Sequence, residues 1–176
     1  MRLFIASIAL CGFACGHPTE DHSETMSSLQ QQDLSGRFPT IPEDEMTPGS
    51  LCKHPDELRY PERIPYCNRS VSKSLKNQII HAYDVSFNYT IEQMNRQDFK
   101  IDHLIPLCMG GSNEQLNLWP QHMTVYTLTD QLEERLCTGM AQGALTQVEA
   151  LEMIRDAKHH HEMIPEIKSK IAAIVH

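Results

Sequence analysis

The sequence predicts an α+β fold: a short two-stranded antiparallel sheet followed by a helix, with additional α-helices around them. Three observations carry that expectation. Phe99, Ile101, His103, Ile105 and Leu107 occupy alternate positions, the period of a strand. Gly110-Gly111-Ser112-Asn113 then turns the chain, and Leu118-Trp119-Pro120 offers a second short strand whose proline suits an edge or an end. From about Thr124 the period becomes helical, with Leu128, Leu132 and Leu136 at i, i+4 and i+8.

The flanking elements follow from the same patterns. Residues 51–66 contain Pro55, Pro61 and Pro65 and read as irregular chain held by a disulfide. Ser70 or Ser72 caps a helix reaching about Tyr83, with Val71, Leu75 and Ile79 as its buried stripe. His81 falls near its end as a surface or capping group. Thr146-Gln147-Val148-Glu149 is a capping box, and Val148, Leu151 and Ile154 form the apolar side of the helix it opens. A last helix holds Ile167, Ile171 and Ile174, with Pro165 in its first turn. His159-His160-His161 point in different directions on a helix, so they read as a solvated tract rather than a metal site.

At 176 residues the chain has room for one domain plus extensions. Arg2 precedes an apolar run from Leu3 to Ala14, too short to span a bilayer and proportioned like a secretory signal, giving a signal peptide over residues 1–15. Gly12-Phe13-Ala14-Cys15 resembles a bacterial lipobox, which makes Cys15 a lipidation candidate and the only route to a membrane. Cleavage after Gly16 is the competing site. Both predict export, to the periplasm, the outer membrane as a lipoprotein, or the medium. Residues 16–50 are rich in Ser, Thr, Pro, Gln and acids without a period and read as a disordered acidic linker ahead of a domain over 51–176.

Four cysteines remain beyond the signal. An even number in an exported chain implies two disulfides, and sequence proximity favours Cys52–Cys67 and Cys108–Cys137 among three connectivities. No C-x-x-C spacing supports a cysteine-bound zinc. The net charge is −8, which taken as a sum disfavours a polyanion as partner. Its distribution matters more. Seven acids and Arg37 alone fall between Gly16 and Ser50, whereas Arg59, Arg63, Arg69, Lys73 and Lys76 form a modest basic zone ahead of the strand.

The segment Asp102-His103-x-x-Pro106-x-x-x-Gly110-Gly111-x5-Asn117-Leu118 is similar, without a gap over 17 positions, to the core of the HNH endonucleases, members of the ββα-metal nuclease superfamily. Tyr60-Pro61-Glu62-x-Ile64-Pro65-Tyr66-Cys67 before it and Asn117-Leu118-Trp119-Pro120-Gln121 after it resemble an exported, cysteine-containing branch. The resemblance implies a ββα-metal core with His103 as general base. It implies a divalent cation, Mg2+ first with Mn2+, Ca2+ or Zn2+ as alternatives, held by Asp102 and the amide oxygen of Asn117. The family's final histidine, nine residues past the asparagine, is replaced by Tyr126, so His122 and Glu133 stand as candidates to complete the shell. Trp119 belongs to the core, and Asn113 to the turn.

The chemistry explains why such residues would be gathered. Phosphodiester hydrolysis needs a nucleophile generated near neutral pH and neutralisation of developing charge. An imidazole serves the first need and a cation on hard oxygen ligands the second. Asp102 and His103 face opposite sides of a flat strand, so a shared site requires twist, a bulge or a cation over the strand edge. The expected activity is endonucleolytic hydrolysis of DNA, with RNA as a second substrate, to 5′-phosphate and 3′-hydroxyl ends. Little sequence specificity is expected, because nothing plainly supplies base-edge contacts. The rival expectation is a catalytically inactive nucleic-acid-binding protein or cell-envelope lipoprotein that keeps the fold. The sequence points to no protein partner.

Overall fold

A computed structural model describes residues 36–175. The signal segment 1–15, Cys15 and the linker up to residue 35 lie outside the described residues. The elements run β1 (Glu57–Arg59), β2 (Ile64–Tyr66), α1 (Lys73–Phe87), β3 (Phe99–His103), β4 (Leu118–His122), α2 (Met123–Ala141), α3 (Gln147–His159) and α4 (Ile164–Ile174). The class is mixed α and β, with four helices and two small antiparallel sheets among the described residues.

The strands β3 and β4 pair antiparallel from Phe99↔His122 to His103↔Leu118, and α2 follows β4 directly. The order strand, loop, strand, helix therefore matches the sequence reading. β3 stops at His103, however, four residues before the end of the alternating pattern. Leu104 and Ile105 are still buried, but they bend into a loop with a 3-10 turn at Leu107–Met109. Alternation there reflects burial on both sides of a loop, not a pleat.

Residues 51–66 are more regular than their prolines suggest. Glu57↔Tyr66, Leu58↔Pro65 and Arg59↔Ile64 make a hairpin, and Pro65 is tolerated in a sheet of only two strands. Glu62 in its turn accepts from the backbone N–H of Gln147 at 2.6 Å, docking the hairpin on the start of α3. Disulfides Cys52–Cys67 and Cys108–Cys137, each with Cα atoms 5.9 Å apart, link the hairpin region and the β3–β4 loop to their surroundings. Both pairings match the sequence expectation, and they fit an oxidising, non-cytoplasmic compartment. Among the described residues no helix is long and apolar enough to cross a membrane.

The main core lies where α2, α3 and α4 meet the β3–β4 loop: Leu132, Leu136, Ile154, Ile167 and Ile171 pack with Ile105 and Met109. Ser72 caps α1 by accepting from Leu75 N, and Thr146 and Glu149 form the expected capping box on α3. The faces of two helices differ from expectation. In α2 the buried positions are Val125, Thr129, Leu132, Leu136 and Met140, while Leu128 is 40% exposed. In α3 Ala150, Met153, Ile154 and Ala157 face inward and Val148 is 64% exposed. In α1, similarly, Ile79, Ile80 and Tyr83 are buried and Leu75 is half-buried, while Val71, also half-buried, precedes the Ser72 cap and lies outside the helix. A single i, i+4 series drifts around a helix of 3.6 residues per turn, so it cannot stay on one face.

The expected linker is corrected in its second half. Residues 36–50 pack on the domain: Phe38 is buried and stacks on His122 with ring centroids 4.2 Å apart. Thr47 Oγ1 lies 2.6 Å from the Tyr83 hydroxyl and donates to Leu118 O at 3.1 Å. Gly49 N donates to Leu116 O at 2.8 Å. One aromatic ring and side-chain hydrogen bonds fix a segment whose composition is otherwise that of a tether.

Candidate metal centre and active site

The spacing of Pro106, Gly110-Gly111 and Asn117 has a structural cause. Asn117 is fully buried; its Oδ1 accepts from Ile105 N at 2.9 Å, and its Nδ2 donates to Ile105 O and Ser112 O, each at 2.9 Å. Its own carbonyl accepts from Leu104 N at 2.8 Å. This one side chain closes the loop between β3 and β4. Gly111 is compressed against it: a Cβ there would stand 1.8 Å from Ile105 O and 2.9 Å from Asn117 Nδ2. Gly110 has φ +87°, a conformation costly for residues with a Cβ.

Asn117 is thereby corrected as a metal ligand. Its amide oxygen is committed to a backbone N–H, and its amide nitrogen to two carbonyls. The residue holds the strand ends together instead of meeting the Asp102 carboxylate.

A different set of oxygens gathers around Asp102. One carboxylate oxygen from each of Asp102, Asp130 and Glu133 lies within 4.8 Å of the others. Asp130 and Glu133 are i, i+3 neighbours on α2, and the β3–β4 hairpin leads straight into that helix, so topology alone brings them to β3. Two lysines enter the cluster. Lys158 Nζ, from α3, lies 2.6 Å from Glu133 Oε1 and 3.4 Å from Asp102 Oδ2 and donates to His103 O at 2.5 Å. Lys100 Nζ reaches Asp130 Oδ1 at 2.6 Å, lies 3.8 Å from Asp102 Oδ2, and sits over the Tyr126 ring at 4.6 Å.

These charges set the protonation states. Burial alone would raise the Asp102 pKa, but Lys158 and Lys100 outweigh it and hold the carboxyl below its ordinary value. Burial would lower the Lys158 pKa, and Glu133 and Asp102 reverse that and keep the ammonium charged. Glu133 is raised, burial prevailing over the pull of Lys158. The donor set is all oxygen, and the buried Glu133 Oε1 has the Lys158 ammonium 2.6 Å away. Such a set fits a hard divalent cation.

His103 is buried at the end of β3. The ladder is regular through Asp102↔Trp119 and His103↔Leu118, so no bulge turns the two side chains to one face. Its Nε2 lies 3.2 Å from Asn113 Oδ1. The orientation of that amide is fixed by two backbone groups, since Oδ1 accepts from Ser70 N at 3.1 Å and Nδ2 donates to Asn68 O at 2.8 Å. An amide oxygen only accepts, so the ring must donate from Nε2, which leaves the Nδ1 lone pair free. Burial pushes the imidazole down to about 4, the Asn113 bond opposing and the Arg69 charge adding to the fall. His103 is therefore neutral at pH 7. Arg69 is held nearby by its own bond to Ile101 O at 3.0 Å.

His122 is also corrected. It pairs with Phe99 at the opposite end of the ladder from His103, caps α2 by accepting from Thr124 N at 3.3 Å, and is enclosed by Phe38 and Phe99. It does not join the acids. His81 is exposed and bonded to Glu92 at 3.2 Å, and His159 and His160 stand against Asp44 and Glu162 at 3.7 and 3.6 Å. Trp119 is fully buried. Comparison of the chain with protein-family models, with curated proteins and with solved structures finds no match in any of the three.

Asp130, Lys158 and the orienting role of Asn113 were not read from the sequence. Asp130 had a signal: with Tyr126 and Glu133 it repeats at i, i+4 and i+7, on one helix face. Lys158 had one too, as a lysine four residues after Ile154 on an otherwise apolar stripe. Asn113 had none, because its partners Asn68 and Ser70 lie far off in the chain.

Proposed function

We propose that the protein is a metal-dependent endonuclease of HNH type that hydrolyses phosphodiester bonds in DNA, and in RNA as a second substrate, with little sequence specificity. The observation that carries this reading is the convergence of Asp102, on a two-stranded antiparallel sheet, with Asp130 and Glu133 on the helix that follows. His103, neutral, is the next residue of the strand, so a shared site needs the cation to lie over the strand edge. Asp102, Asp130 and Glu133 would hold the cation, most simply Mg2+ with Mn2+, Ca2+ or Zn2+ as substitutes; bound there, it supplies positive charge against the phosphate oxygens and the leaving group.

The protein's own groups do the rest. His103 Nδ1 takes a proton from water as the water oxygen bonds to phosphorus, and the P–O bond to the 3′-oxygen breaks, that oxygen taking a proton from solvent. An approaching phosphodiester adds negative charge beside the ring and so raises its basicity. Asn113, by accepting from Nε2, keeps the lone pair on Nδ1. Phosphate contacts from the basic zone account for binding, which should weaken steeply with salt.

The rival reading, a nucleic-acid-binding protein or envelope lipoprotein that retains the fold without catalysis, has its own support in Lys158, whose ammonium already pairs with two of the three carboxylates. Incubating the mature protein with an end-labelled oligonucleotide in magnesium or EDTA separates the two. Magnesium-dependent products ending in 5′-phosphate and 3′-hydroxyl, absent with His103→Ala, support the nuclease. Binding without cleavage in any divalent metal supports the rival.

A further inference from the structure

Lys158 has no exposed surface, although lysine is among the residue types least often buried. It leaves the core side of α3 beside Ala157 and ends among three oxygens: His103 O at 2.5 Å, Glu133 Oε1 at 2.6 Å and Asp102 Oδ2 at 3.4 Å. An ammonium has three N–H groups, so every donor faces an acceptor. Asp130, at the exposed edge of the cluster, pairs with Lys100 at 2.6 Å, which also lies 3.8 Å from Asp102 Oδ2. The division is by burial. The outer acid pairs with a lysine that solvent can reach, and the inner acids pair with one that it cannot.

We propose that Lys158 is a tethered cation, whose ammonium offsets one of the two negative charges of the Asp102–Glu133 pair whenever no divalent ion is bound and so lets the carboxylates be gathered before the metal arrives. The proposal rests on the metal-centre reading above. Two carboxylates brought together out of water without positive charge would repel each other and lose hydration, a cost the fold would meet only with metal present. With Lys158, three carboxylates face two ammonium groups, leaving one net negative charge to attract a divalent ion. Without it, two net negative charges remain, and folding becomes linked to metal. With Lys158 in place, folding is independent of metal supply. Lys158 acts as a positioning residue: through His103 O it also ties the end of β3 to α3.

The test is thermal unfolding of the mature chain in EDTA and in millimolar manganese or magnesium, read by circular dichroism, so that it does not depend on catalysis. Wild type is expected to unfold within a few degrees of the same temperature in both. Lys158→Met should lose about 10 °C in EDTA and regain at least half of that with the divalent ion. The double variant Lys158→Met/Glu133→Gln, which removes a negative charge with the positive one, should be more stable than the single variant in EDTA and respond little to metal. The proposal is overturned if Lys158→Met is as stable as wild type in EDTA. It is equally overturned if the single variant is destabilised alike with and without metal, or if the double variant is no more stable than the single one, since the side chain would then act by packing alone. Absence of cleavage by wild type would remove the nuclease reading and leave these melting temperatures to judge the cation role.

Discussion

Asn117 grips one residue from both sides: its Oδ1 accepts the N–H of Ile105 and its Nδ2 donates to the carbonyl of Ile105, both at 2.9 Å. A buried amide used in this way stabilises a loop and leaves nothing for a cation. Asn117→Ala strands a buried N–H and two carbonyls and should cost about 3 kcal/mol of folding stability. Urea unfolding checks this. Metal affinity of the folded protein, measured by calorimetry, should stay within a few-fold of wild type; a loss of two orders of magnitude would return Asn117 to the ligand set.

Gly111 depends on the same bond. Any Cβ would stand 1.8 Å from Ile105 O, so the loop must open before a side chain fits. Gly111→Ala should destabilise by more than Gly110→Ala, where a conformational penalty of about 1 to 2 kcal/mol adds to a contact at 2.6 Å with the flexible end of Gln147. Comparing the two urea midpoints decides it, and equal midpoints would argue against the packed loop.

Asn113 orients the ring that His103 would use. His103→Ala should abolish cleavage with the far-ultraviolet circular dichroism unchanged. Asn113→Ala should lower kcat by about 10- to 100-fold while metal affinity is kept. Unchanged kcat in Asn113→Ala would mean that the ring needs no such partner.

Tyr83 reports on the docked segment before β1. Burial, against its bonds to Thr47 and Glu43, pushes the phenol up to about 12. A folded pKa above the unfolded value of about 10 gives stability that is complete below pH 10 and lost as pH rises towards 12. Absorbance at alkaline pH should therefore show Tyr83 ionising late, as residues 36–50 detach. Thr47→Val removes the 2.6 Å contact and should make that detachment occur at lower pH.

Much of this architecture was legible in the chain. The β3–turn–β4–α2 order, both disulfides and the Thr146–Glu149 box rest on local period, turn residues or cysteine arithmetic, which sequence displays directly. Partnership is less visible. The Gly-Gly and Asn117 spacing marks a loop closed by hydrogen bonds, and from sequence alone an amide that closes a loop looks the same as one that binds a metal. His122 was drawn towards the site by its chemistry, whereas its burial against Phe38 needs a segment whose composition suggested a tether. Lys158 was overlooked because it reaches the site from a helix lying beyond the motif.

The central claim is that Asp102, Asp130 and Glu133 together with His103 make a cation-assisted hydrolytic centre. The most direct measurement is the nicking rate of supercoiled plasmid over a magnesium titration for wild type, Glu133→Gln and His103→Ala. The account predicts saturable cleavage by wild type, a higher magnesium requirement for Glu133→Gln, and none at any concentration for His103→Ala. Cleavage by all three at the same rate, or by wild type in EDTA as readily as in magnesium, would contradict it.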